Sequence, residues 1–282
     1  MLHGVFSTAS QLRLGTAAWC FLVLTYGMSW AVDVPAALAA RQVIKLHVPQ
    51  GLQTSAQLAP ALAALIVAGY FGGRRGLMSL AASVFRGRAP LRWYAFALLL
   101  PPGTGAAVVL VFRLTGHALH NTGPWYELPL LTAALTVFSI GEELGWRGFF
   151  LPTLMVRQSL FAAAAWTALV WGLWHLPVYL ALDGEGESTG LLYFLFLVGI
   201  FPVSAFFTLL YARTRSVLLC MLLHGSLNAA VAHWFGPLPR GELFPVVLWV
   251  TVLWAVAVPV GFALPQARPQ PNEMAGRANN EV

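Results

Sequence analysis

The chain has 282 residues, of which 59% belong to the set Ala, Val, Ile, Leu, Met, Phe, Trp, Tyr and Cys and only 9% are charged; a soluble domain has roughly 45–50% apolar and about 25% charged residues. With a mean hydropathy of +0.73, this composition excludes a disordered or nucleic-acid-handling protein. It indicates an all-α, polytopic integral membrane protein with room for about eight spans of ~20 residues. The net charge of +6 then reads as a topology signal and a contact with anionic lipid headgroups.

Apolar runs separated by Pro, Gly and charge predict spans at 14–34, 56–73, 93–112, 127–155, 159–181, 190–211, 216–235 and 243–263. The first is too long for the apolar core of a signal peptide and lacks a clear basic leader, so it is expected to be retained. Residues 74–92 mix five arginines with Leu77, Leu80, Val84 and Phe85, which fits either a short helix on the inner leaflet or a plain basic loop. Residues 266–282 carry Pro269, Pro271, Asn279, Asn280 and scattered charge without apolar periodicity, the pattern of a mobile tail after one membrane domain over 1–265. The two cysteines, Cys20 and Cys220, lie in separate apolar runs and imply neither a disulfide nor a thiolate metal site.

With eight spans, Arg13, Arg74, Arg75, Arg86, Arg88, Arg92, Arg157, Arg213, Arg215, Arg268 and Arg277 fall on one side, and Arg41, Lys45, Arg113 and Arg240 on the other. Basic loops stay cytoplasmic, so both termini are expected there, in what reads as a bacterial inner membrane.

Ionisable groups inside spans are costly and mark function. Glu127, Asp183, Glu185, Glu187, Glu242, Glu273 and Glu281 fall in loops, tails or span ends. That leaves Asp33 near the end of the first span and the pair Glu142 and Glu143 within the fourth. In Gly141-Glu142-Glu143-Leu144-Gly145-Trp146-Arg147-Gly148, Glu143 and Arg147 share a helix face four residues apart, the spacing of an ion pair, and Glu142 points about 100° away. Glu142 is left without an obvious counter-charge, as a general base or proton carrier requires.

Of the histidines, His3, His47, His117, His120 and His233 fall in the tail, in outer loops or near a span end, where a solvent-facing or structural role is expected. His175 and His224 lie inside apolar helices. If spans four and five form a hairpin turning near Gln158 and Ser159, Glu142 and His175 are each 16 residues from the turn and sit at nearly the same height. Asn228 lies one turn from His224 on the same face. There is no His-Glu-x-x-His helix, no Gly-x-Gly-Asp pair and no Gly-x-Ser-Gly motif, and Ser226 points some 200° from His224 around its helix. Activation of water by carboxylate and imidazole, with or without a metal, is what remains.

These residues, in this order, resemble the CPBP family of intramembrane proteases, which includes the CAAX prenyl endopeptidases and bacterial proteins linked to bacteriocin self-immunity. The Glu-Glu-x-x-x-Arg motif is found as Glu142 to Arg147, the aromatic-x-x-x-His motif as Trp171 to His175, and the His-x-x-x-Asn motif as His224 to Asn228. The second usually begins with Phe, so Trp171 is a departure. The resemblance implies that Glu142 is the general base, positioning water with His175. It implies that His224 and Asn228 donate to the oxyanion, that Glu143 and Arg147 support the site, and that the cavity opens to the cytoplasm. No cofactor is favoured. Zinc held by Glu142, His175 and His224 is the alternative, disfavoured because Asn228 is a poor zinc ligand. The expected function is hydrolysis of a peptide bond in a membrane-associated protein or peptide. Two other classes stay open: a proton-coupled transporter using Glu142 and the histidines as a relay, and a non-catalytic immunity or scaffold protein.

Overall fold

The computed structural model describes residues 8–116, 123–182, 188–236 and 243–263. His3, His117, His120, Asp183, Glu185, Glu187, Arg240, Glu242 and the stretch 266–282 lie outside these residues. Among the described residues the structure is helical and contains no strand: α1 (Thr8–Ala40), α2 (Gln50–Ala56), α3 (Ala59–Phe85), α4 (Leu91–Leu114), α5 (Glu127–Phe138), α6 (Ile140–Gly145), a π-helical turn (Trp146–Phe150), α7 (Leu151–Met155), α8 (Leu160–Trp174), α9 (Leu176–Ala181), α10 (Ser188–Thr214), α11 (Val217–Phe235) and α12 (Phe244–Ala263). Six of these stretches are long and apolar enough to cross a membrane, and eight spans result if each of two bent pairs counts as one. The chain is a multi-pass membrane protein, and helices are the natural solution because hydrocarbon offers the backbone no other hydrogen-bond partner.

The two ends of the bundle are marked by side chains. At one end Arg157 packs over Gly15, and Arg86 donates to the Arg215 carbonyl while Ser216 donates to that of Arg86. Ser159 and Ser216 cap α8 and α11 there by accepting from the Ala162 and Leu219 amides, which satisfies a free amide at each helix start. At the opposite end Arg41 donates to the Leu180 carbonyl at 2.7 Å.

Two expected spans are not straight. The stretch 127–155 breaks at Ser139, bends by 42° and then passes through the π turn. Ser139 donates to the carbonyls of Thr136 and Met221, and side-chain insertion of this kind, like a π turn, is a recognised cause of kinks. In the second case a 44° bend separates α2 from α3. Gly73, at φ +54° and ψ −148°, then turns α3 so that residues 74–85 of the basic segment continue as helix, while residues 86–90 are irregular. Gly73 adopts this left-handed φ without the Cβ clash another residue would incur.

The core surrounds Phe21, which is fully buried and has its ring centroid 5.4–5.5 Å from those of Trp146, Phe149 and Phe150. Trp174 extends it, with its indole donating to Ser29 at 2.7 Å. Small residues let the short helices approach. An ideal Cβ on Gly145 would lie 2.5 Å from the Cβ and carbonyl oxygen of Pro60, and one on Gly141 would lie 2.8 Å from the Gln57 carbonyl. Glycine at both positions therefore allows α6 to sit directly against the start of α3.

Candidate active site

The break at Ser139 places Glu142 and Glu143 in the first turn of α6, with both of their amides donating to the Ser139 carbonyl. Glu143 turns inward. Its Oε1 accepts from Arg147 Nη1 at 2.7 Å and lies 2.8 Å from His224 Nδ1, and the Glu143 and Arg147 side chains are 0% exposed. The Arg147 guanidinium lies 4.1 Å from the centroid of the Trp171 ring and 3.8 Å from that of Phe207. Two aromatic faces thus take up charge that water cannot reach.

Glu142 faces the other way and retains 12% exposure of its side chain. Its Oε2 accepts from Trp171 Nε1 at 2.7 Å, and its Oε1 stands 4.0 Å from His224 Nε2. The two carboxylates therefore address opposite nitrogens of one imidazole. Glu143 takes Nδ1–H, so the Nε2 of neutral His224 keeps its lone pair toward Glu142.

His175 lies within the apolar helical span Leu160–Ala181, as expected, at the junction of α8 and α9, where its backbone stays helical (φ −77°, ψ −6°) and Pro177 follows. Its Nδ1 lies 2.8 Å from the Trp171 carbonyl. Its ring rests edge-on against Trp174 (4.8 Å), Phe196 (5.1 Å) and Trp171 (5.7 Å). Glu142, His224 and Arg147 all lie within electrostatic range of it. As with His224, engagement of Nδ1 directs Nε2 outward.

Asn228 lies one turn beyond His224 on α11 and is exposed, with no hydrogen bond joining it to the other site residues. Ser226 is buried elsewhere and donates to the Leu98 carbonyl at 3.1 Å. His233, expected to be solvent-facing or structural, is buried, with Nδ1 4.0 Å from Glu127 Oε2.

A catalytic zinc ion takes three protein ligands and leaves a position for water. Among the described residues, no three His, Cys, Asp or Glu side chains come together in an arrangement that holds a metal ion. Glu142, His175 and His224 do not form such a group, and Glu142 Oε2 is engaged by the Trp171 indole N–H while Oε1 stands 4.0 Å from His224 Nε2.

Two features of the site escaped the sequence reading. Trp171 entered only as an aromatic substitute for Phe, although its indole N–H, which Phe lacks, was the available signal. The second is a cavity of about 280 Å³ lined by Asp33, Ala36, Gln50, Gln53, Thr54, Gln57, Pro177, Val178 and Ala181. It adjoins the site on two sides, since Pro177 is two residues from His175 and Gln57 packs on Gly141 beside Glu142. It lies toward the Arg41 end, away from the end where Arg86, Arg157 and Arg215 gather.

Residues 124–230 match the sequence profile of the family described as "Type II CAAX prenyl endopeptidase Rce1-like". Over 122 residues the chain is 33% identical to CAAX prenyl protease 2 of Methanococcus maripaludis, an alignment covering 42% of this chain and 44% of that protein. The chain thus aligns with less than half the length of this relative. The matched profile encloses Glu142, Glu143, Arg147, Trp171, His175, His224 and Asn228, the residues that build or border the polar cluster. That coincidence of motif and geometry over residues 124–230 supports a likeness to the CPBP family.

Proposed function

We propose that the protein is an intramembrane endopeptidase that hydrolyses a peptide bond of a membrane-associated protein or peptide by glutamate-activated water. The observation that carries this reading is the placement of Glu142. It is a partly exposed carboxylate inside a transmembrane bundle, held by Trp171 Nε1 at 2.7 Å and facing His224 Nε2 at 4.0 Å.

In the proposed reaction Glu142 takes a proton from water, with His175 helping to place the water through its Nε2. The oxygen attacks the carbonyl carbon, the C=O π pair moves to oxygen, and a tetrahedral oxyanion forms. His224 donates to it through Nε2–H in the doubly protonated state, in which the carboxylates of Glu142 and Glu143 flank a cation, and the Asn228 amide supplies a second donor. Collapse expels the amine, which takes the proton carried by Glu142. General-base assistance of this kind is typically worth ~10²–10⁴ in rate, and a single oxyanion donor ~10²–10³. Glu143, braced by Arg147, holds the His224 ring in place through Nδ1–H. No metal enters the scheme.

The catalytic domain covers 1–265, with 266–282 as a tail. The protein sits among lipids with both termini cytoplasmic, in a bacterial inner membrane, as the arginine distribution supports. The test is a mass-spectrometric comparison of membrane peptides from cells carrying wild type or Glu142→Gln. Peptides present only with wild type, at equal expression of the two proteins, are the expected result; identical peptide sets overturn the reading.

A further inference from the structure

Asp33 is 6% exposed in the wall of a transmembrane bundle, yet among the described residues no hydrogen bond or ion pair joins it and no charged group acts on it electrostatically. A carboxylate inside a membrane is expensive, and a sequence that keeps one without a partner keeps it for something that arrives. Asp33 lines the 280 Å³ cavity described above. It sits eight residues before Arg41, or about 12 Å along α1 from that end of the bundle.

The rest of the wall suits the same guest. Gln50, Gln53 and Thr54 of α2 and Gln57, which follows it, line the cavity, and their amide and hydroxyl oxygens can accept hydrogen bonds without contributing charge. The lining that α9 contributes, Pro177, Val178 and Ala181, is apolar. One buried anion, several neutral acceptors and an apolar flank favour a cation on an organic stem over either an anion or a bare ion. Next to the candidate reaction centre, such a group belongs to a peptide.

We propose that this cavity is a specificity subsite that takes a protonated amine or guanidinium of the peptide substrate, with Asp33 as its counter-ion. The inference rests on the proteolytic reading for the nature of the guest. Two sources share this chemistry, the free N-terminus of a peptide and a basic side chain, and the test separates them.

The full chain carrying Glu142→Gln, so that nothing is cut, is purified in detergent and titrated calorimetrically with three peptides. These are acetyl-Ala-Ala-Ala-amide, Ala-Ala-Ala-amide with a free amine, and acetyl-Ala-Arg-Ala-amide. At least one charged peptide is expected to bind about tenfold or more tightly than the uncharged one, as a charge-assisted hydrogen bond in a buried site allows. Which of the two it is names the source. Asp33→Asn, added to the same protein, should erase the preference. Gln53→Lys, which supplies a resident cation in the same cavity as Asp33, should erase it as well and keeps the test decisive if Asp33→Asn does not fold. Equal affinity for all three peptides, or a preference that survives in either variant, overturns the proposal. Identical membrane peptides from wild-type and Glu142→Gln cells would sink the protease reading alone and leave this binding result standing.

Discussion

The indole N–H of Trp171 donates to Glu142 Oε2 at 2.7 Å while the same ring forms one face of the Arg147 guanidinium's enclosure. One side chain thus orients the proposed base and shields the cation behind it. Trp171→Phe separates these duties, because it keeps an aromatic face and removes only the donor. On a substrate peptide identified by the membrane comparison, kcat/KM is expected to fall by roughly tenfold to a hundredfold, the scale of one hydrogen bond to a charged group. The melting temperature in detergent should change little. Equal activity would show that Glu142 needs no such restraint.

Glu143 and Arg147 have no access to water and share one oxygen with His224. Removing one member of a buried pair strands the other, typically at a cost of ~3–5 kcal/mol. Glu143→Gln and Arg147→Ala are both expected to lower the melting temperature in detergent markedly. Unchanged melting curves would contradict a supporting role for the pair.

Chelation addresses the metal directly. Under the proposed metal-free reading, the purified protein should retain its cleavage rate on an identified substrate after prolonged treatment with a strong zinc chelator and dialysis. A loss of activity that zinc restores would assign Glu142, His175 and His224 as ligands in a conformation different from this one.

The cavity lies toward Arg41, whereas most arginines gather at the other end. If the arginine-rich end is cytoplasmic, α2 faces outward and the peptide enters from outside, opposite to the cytoplasmic opening that the family resemblance implied. In intact cells a membrane-impermeant maleimide should label Gln53→Cys without permeabilisation. It should label Arg86→Cys only after the membrane is opened. The native thiols Cys20 and Cys220 lie within spans, which keeps the background low. The reverse pattern would invert the topology.

Much of this arrangement was legible in the sequence. The helical architecture followed from composition, and the motif residues stood out because ionisable side chains are so rare in the apolar runs. Hydropathy, however, averages over a window and does not register direction. It could not show that Ser139 would bond across to Met221 and break the fourth span. The polar stretch 50–57 looked like loop because its glutamines interrupt the apolar pattern, and only its position against α1 and α9 shows that those glutamines line a cavity with Asp33. Asp33 itself was visible as an intramembrane carboxylate, but its surroundings were not.

The π turn at Trp146–Phe150 lies immediately after the paired carboxylates and before α7. A wide turn places the helix before it out of azimuthal phase with the helix after it, so the direction in which Glu142 and Glu143 point is set independently of the face that α7 presents to its neighbours. Deleting a single residue from this turn would bring the two halves back into phase and swing the carboxylates around the axis by about 100°. The chemistry of this protein thus depends on a small irregularity in helical pitch, through which the reactive upper segment can be re-aimed while the lower one keeps its packing.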